Sequence, residues 1–199
     1  AEGQQVVRVD WDANNLTDQN LNKVLKRVFK KITSVDGVVI SDYNKGICTE
    51  LVVKNIISKA KELQVPVFVD PKGENWNKYF GASILTPNLK EAEEAIGRKL
   101  ITDGDVEIAG KEICNNLSLN ACLITRGSNG MSYISKDLKF HVCSEAKEIF
   151  DVSGAGDTVI ASLAFCLANS ISILNAVKFS NMTAGIVVGK QGTSIIKKK

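Results

Sequence analysis

The run Asp151-Val152-Ser153-Gly154-Ala155-Gly156-Asp157-Thr158 stands directly before an apolar stretch that reads as a helix. Two glycines around a small alanine leave backbone N–H groups uncovered at the positive end of the helix dipole. Such a cradle suits a phosphate, or the charge that develops on a transferring phosphoryl group. Asp157 falls in the first helical turn, where the same dipole favours its ionised form. A carboxylate beside an anion cradle can accept a hydroxyl proton while the cradle holds the phosphate. In a loose phosphoryl-transfer transition state that base needs good placement more than strength. The spacing equally fits a Gly-rich turn closed by an Asp cap, and alone it does not separate the two readings.

Two further runs carry polar groups at strand ends. Asn88-Leu89-Lys90-Glu91 opens a helix just after Ile84-Leu85-Thr86-Pro87. Asn88 with Glu91 three residues on is close to a capping box, the simpler reading of the pair. The same two side chains also suit the hydration shell of a magnesium ion at the end of a sheet. Thr125-Arg126-Gly127-Ser128-Asn129-Gly130 follows a strand at its carboxyl end, the usual place of ligands in open α/β sheets, and also turns the chain into a hairpin.

These residues need a scaffold, and two alternating hydrophobic periods predict one. Short apolar runs at 38–41, 65–69, 83–86 and 121–125 read as strands, with Pro66 near the start of its strand. Residues 131–134 and 139–142 read as a hairpin with Lys136-Asp137 near its turn. Helical patterns cover 49–63, 88–96 (closed by Gly97), 105–117, 155–168 and 173–188, and another runs from caps at 17–20 through Leu21, Leu25, Val28 and Phe29. Residues 5–11 alternate like a strand with one wet face. Strands alternating with helices predict an α/β fold with a mainly parallel sheet and right-handed crossovers.

Composition narrows the class. The chain has 199 residues, enough for a substantial core, with 25 Lys+Arg against 22 Asp+Glu, a net charge of +3. Plentiful apolar residues and balanced charge argue against disorder. No segment reaches the roughly 20 uncharged apolar residues of a membrane-spanning helix, and the first residues do not resemble a signal peptide. The basic residues form no stripe that would suit nucleic acid. Five cysteines without a Cys-x-x-Cys pair, and the lone His141, argue against a zinc site and read as core filling in a reducing compartment. The Gly-x-Gly-x-x-Gly turn of a dinucleotide-binding dehydrogenase does not follow the first strand.

The run 151–158 resembles the C-terminal signature of the ribokinase-like carbohydrate kinase family, with Ser153 where that family usually has Thr. The order Asn88-x-x-Glu91, Thr125-Arg126-Gly127-x-x-Gly130, then Gly-Ala-Gly-Asp matches the family as well. Within it the stretches 41–46, 69–73, 85–91 and 184–193 are most similar to the bacterial heptose-7-phosphate kinases of lipopolysaccharide core synthesis. The resemblance runs from about Gln4 to Thr193. It implies a three-layer α/β/α sandwich and transfer of the γ-phosphoryl of ATP to O1 of heptose 7-phosphate in the cytoplasm. Asp157 would be the base, with Gly154, Ala155 and Gly156 the anion hole. Asn88, Lys90 and Glu91 would serve the nucleotide, Asn88 and Glu91 organising Mg2+ through water. Thr125, Arg126, Gly127 and Gly130 would line the ATP site and Asn181 the adenine pocket. Carbonyls around Asp151 and Ser153, with the 189–193 loop, would hold a monovalent cation such as K+. Asp42, Lys45 and Lys72 would stand on the sugar side, the two lysines either meeting phosphates or facing solvent as turn residues.

One departure from the family matters. Its Gly-Gly-x-x-Asn sugar-binding signature has no counterpart here. The resemblance therefore implies that residues 1–12 belong to the end of a lid, 13–196 to the C-terminal part of a kinase domain, and 197–199 to a tail. The family's lid also implies a homodimer in the complete enzyme. Partners would be ATP and a sugar phosphate, with no nucleic acid and no membrane.

Overall fold

The computed structural model describes residues 17–146, 150–190 and 192. The lid strand expected over residues 4–11 and the tail at 197–199 lie outside them. Chain order is α1 (Asp18–Ile32), β1 (Val38–Ser41), α2 (Glu50–Glu62), β2 (Val67–Asp70), β3 (Ile84–Leu85), α3 (Leu89–Ile96), α4 (Asp103–Leu117), β4 (Ala121–Thr125), β5 (Met131–Ser135), β6 (Lys139–Val142), α5 (Ala155–Ala168) and α6 (Ile173–Val188). Short 3₁₀ turns at Trp76–Tyr79 and Gly127–Asn129 join them, and neither has a periodic signature in the sequence.

The strands form one sheet in the order β1-β2-β3-β4-β5-β6. β1 to β4 run parallel, β5 pairs antiparallel with β4, and β6 pairs antiparallel with β5. Each parallel connection steps to the next strand in the same direction. Right-handed crossovers then place all the connecting helices on one face. Residue alternation along each strand confirms it. Val67, Val69, Leu85, Cys122, Ile124 and Ile134 pack with α1 to α4, while Phe68, Ile84, Ala121, Leu123 and Tyr133 pack with α5 and α6. Both faces are thus covered, which is why β2 and β4 read as continuous apolar runs. The result is the expected three-layer α/β/α sandwich.

Local chemistry sets the boundaries. Thr17 and Thr49 cap α1 and α2 through their hydroxyls. α4 begins two residues earlier than its apolar period suggests, because Thr102 and Asp105 close a capping box. Ser135 and Leu138 bond each other across the β5–β6 turn at 2.9–3.0 Å, around the expected Lys136-Asp137. The cysteines need a correction. Cys114, Cys122 and Cys166 are buried core residues, but Cys48, in the loop after β1, is half-buried and Cys143, just beyond the end of β6, is exposed.

Candidate active site

The carboxyl ends of β1 to β4 open onto a cavity of about 580 Å³, closed on the far side by the first turn of α5 and by α6. Position follows from topology. Parallel strands direct all their carboxyl ends one way, so Asp70, Thr86, Thr125 and their following turns share one rim. α5 reaches that rim because it crosses back to pack on β1 and β2.

Asp157 lies where α5 meets β1. Ser41, the last residue of β1, donates its hydroxyl to Asp157 Oδ1 at 3.0 Å, and the Tyr43 hydroxyl donates to Oδ2 at 2.6 Å. Gly154 takes φ +79° as the N-cap, a left-handed conformation that admits a side chain only with strain, and no side chain caps the helix. Gly154, Ala155 and Gly156 therefore face the cavity with backbone. A Cβ on Gly156 would stand 3.5 Å from Asp70 Oδ2, so α5 and the end of β2 meet closely. The bond to Asp157 is the first cause holding the Tyr43 phenol above its ordinary value, so Tyr43 remains a donor at neutral pH.

Asp42 lies beneath this surface. Its carboxylate is buried and accepts from Lys78 Nζ at 2.5 Å, Tyr79 OH at 2.7 Å and the Asn44 amide at 2.7 Å. The Lys72 amide donates to Tyr79 OH at 3.0 Å, so one buried cluster fastens both the loop after β1 and the turn after β2. Burial raises the cost of leaving any of these groups unpaired. Lys72 itself reaches Glu91 Oε1 at 2.8 Å across the cavity wall. Lys45 is exposed and not part of that wall.

Asn88 and Glu91 do form the capping box: Asn88 Oδ1 accepts from the Glu91 amide at 2.9 Å, and Glu91 Oε2 from the Asn88 amide at 3.0 Å. Both also line the cavity, as does Lys90, whose ammonium is exposed and 3.7 Å from Glu94. Capping and a cavity-facing role thus coexist. Burial, then the charges of Glu91 and Asp157, push the Asp70 carboxyl up to about 7. Asp70, Glu91 and Asp157 line the cavity with the buried Asp42, and Lys72, Lys90 and Arg126 are its cations, so the lining offers oxygen donors of the kind magnesium takes. Among the described residues no three acidic, His or Cys side chains are close enough to enclose a metal. A magnesium ion would then be held through water and the phosphates it accompanies.

The opposite wall is the β4–β5 turn. Gly127 and Gly130 have φ of +57° and +77°, and Thr125 forms a bridge with Asn88. Arg126 is drawn to the rim by Asp103 at 2.6 Å and Ser132 at 3.0 Å, its Nε buried without a partner among the described residues. Ser132 contacts His141 at 2.8 Å, and His141 contacts Glu107 at 3.2 Å. Asn181 is buried on α6 and donates to the Cys143 carbonyl at 2.7 Å, which ties α6 to the end of β6. Asp151 and Ser153 stand outside the cavity wall. The Ser153 amide and hydroxyl hold the Asp151 carboxyl below its ordinary value, and the Phe150 and Asp151 amides bond Val188 O at 2.8 and 3.2 Å.

A family model described as pfkB family carbohydrate kinase matches residues 1–199. The chain belongs to the pfkB carbohydrate kinase family. It is 38% identical over 198 residues to the bifunctional protein HldE of Acidiphilium cryptum, covering 99% of this chain and 41% of that protein. Against HldE of Campylobacter jejuni subsp. jejuni it is 43% identical over 194 residues, covering 97% and 41%. The chain thus spans about two fifths of the length of these relatives. Among solved structures it is similar to Escherichia coli phosphofructokinase-2 in complex with potassium, with TM-score 0.78 and 21% identity over 89% of this chain and 58% of that one. It is similar too to Arabidopsis thaliana ribokinase complexed with ribose and ATP, with TM-score 0.74 and 21% identity over 90% and 55%. These likenesses show the ribokinase-like fold.

Fourteen of the seventeen residues singled out from the sequence line the cavity, all but Lys45, Asp151 and Ser153. Sequence reasoning gave no role to Ser41, Tyr43 or Asp70. Their common signal is position, at or just beyond the carboxyl ends of β1 and β2.

Proposed function

We propose that this pfkB chain carries the nucleotide-binding and catalytic part of a kinase that transfers the γ-phosphoryl of ATP to O1 of heptose 7-phosphate, in the cytoplasm, in ADP-heptose and lipopolysaccharide core synthesis. The observation that carries the reading is Asp157, held by two hydroxyls beside the uncapped first turn of α5 and facing the cavity. In the reaction the acceptor O–H proton passes to Asp157, the oxygen bonds the γ-phosphorus, and the bond to the β-phosphate oxygen breaks as ADP leaves. The Gly154–Gly156 backbone stabilises charge on the phosphoryl oxygens. Thr125, Arg126, Gly127, Gly130 and Asn181 bound the nucleotide side, with Lys90 at its edge. Asn88 and Glu91 orient the waters of Mg2+, which when bound neutralises phosphate charge. Lys72 and Lys45 serve the sugar phosphate, and Asp42 fixes the loop that bears Tyr43. Carbonyls near Asp151 and Ser153, beside the end of α6, suit K+.

The heptose 7-phosphate assignment rests on the sequence resemblance, as does a homodimer formed through a lid. Replacing Asp157 with Asn in the natural gene product should lower turnover by about two orders of magnitude or more while an ATP analogue still binds. Near-normal turnover would remove Asp157 as the base. An ADP-release assay across sugars and sugar phosphates tests the acceptor, and turnover with a sugar other than the phosphorylated heptose would reassign it. The chain's coverage of two fifths of its HldE relatives favours a second reading for this chain in isolation, as a nucleotide-binding module without catalysis. Calorimetry with an ATP analogue, paired with turnover of the isolated chain, separates them, since binding without turnover is the module's signature.

A further inference from the structure

The Asp157 carboxylate is engaged on both oxygens by the chain itself, and its two partners differ in kind. Ser41 is the last residue of β1, in register with Asp70 of β2, so its hydroxyl is fixed by the sheet. Tyr43 lies two residues further, with 61% of its surface exposed. Its backbone is held on both sides. Asp42 is tied to Lys78 and Tyr79, and Asn44 turns at φ +55° with its amide on Asp42 Oδ1. Only the phenol side chain is free to rotate away, a motion that needs no backbone change and is fast for an exposed ring.

On the kinase reading given above, the atom that Tyr43 contacts is one that an acceptor hydroxyl needs. We infer that the Tyr43 hydroxyl is a placeholder. It occupies Asp157 Oδ2 in the sugar-free site, keeps water from being aligned there, and swings out when the acceptor hydroxyl takes its place. Tyr43 is thus a positioning residue that acts through Asp157 and confines phosphoryl transfer to the sugar. The reaction it suppresses is hydrolysis of ATP. A water proton passes to Asp157, the water oxygen bonds the γ-phosphorus, the bond to ADP breaks, and phosphate is released. Ser41 remains bonded in both states and keeps the carboxylate aimed.

The test is the rate of ATP hydrolysis without sugar in the natural gene product, compared with the rate of sugar phosphorylation. Tyr43→Phe keeps the ring and removes the hydroxyl. It should raise sugar-independent phosphate release about tenfold, the order of effect expected when one well-formed bond to a charged group no longer competes with water. A loss of packing would lower both rates, so a rise in hydrolysis is not a generic consequence of damage. Tyr43→Leu should act in the same direction, which guards against an effect peculiar to Phe. In the double variant with Asp157→Asn the gained hydrolysis should vanish. Unchanged or lower hydrolysis in both Tyr43 variants overturns the inference, as does gained hydrolysis that survives loss of Asp157. If Asp157→Asn alone leaves sugar phosphorylation intact, the kinase reading fails instead, whatever Tyr43 does.

Discussion

Asp70 shows how a single residue's environment becomes measurable. Its carboxyl is pushed from 3.8 to about 7 by burial first, then by Glu91 and Asp157. Between those values the folded chain binds more protons than the unfolded one, so Asp70 makes stability fall as pH rises through this window and level off above it. Asp70→Asn, measured without ligand, should be more stabilising at about pH 8 than at about pH 4 by about 2–4 kcal/mol. Equal effects at the two pH values would show that Asp70 is not held in this way. At this scale the sequence was partly legible. Asp157 and the Asn88–Glu91 pair carry local signals, a helix start and a spacing of three. Asp70, Ser41 and Tyr43 carry none, because what gives them meaning is contact with α5, and for Ser41 that partner is 116 residues away. Asp103 as the anchor of Arg126 was likewise hidden, because the contact joins the start of α4 to the turn after β4.

Among elements, the β4–β5 turn shows that two glycines of one motif do different work. Gly127 has φ +57° and open space around its missing Cβ, whereas a Cβ on Gly130 would fall 1.9 Å from the Val142 carbonyl oxygen. Gly127→Ala should cost only about 1 kcal/mol, the price of a left-handed alanine. Gly130→Ala must part β5 from the end of β6 and should cost about 3 kcal/mol or more. Urea midpoints at unchanged slope would compare them, and similar losses would mean that the hairpin yields easily. Most elements were readable because both core faces follow strand alternation and helical period. The start of α4 was misplaced because a capping box, not an apolar residue, begins it. The 3₁₀ turn at Trp76–Tyr79 stayed invisible since its order comes from Asp42 and Gly73, through the Tyr79 hydroxyl and the Trp76 indole.

Across the whole molecule, β1 is an edge of the described sheet, and Val39 on it is 44% exposed. Phe165, on the solvent side of α5, is also exposed. Among the described residues no strand pairs with the outer side of β1, and a parallel edge of that kind with apolar side chains invites pairing with another strand. The isolated chain should therefore self-associate, and Val39→Lys should shift it towards monomer in sedimentation experiments. An unchanged mass distribution would show that this edge is not the sticky surface. The bond between Ser41 and Asp157 also has a bearing on how the protein is made. One partner ends β1 and the other lies in the first turn of α5, so this pair is brought together across 116 residues of chain. Loops of that span close late, after the local β–α units are in place. During synthesis the described sheet can therefore be complete while the Asp157 site is still unformed, and on the proposed reading turnover waits until α5 has docked across β1 and β2.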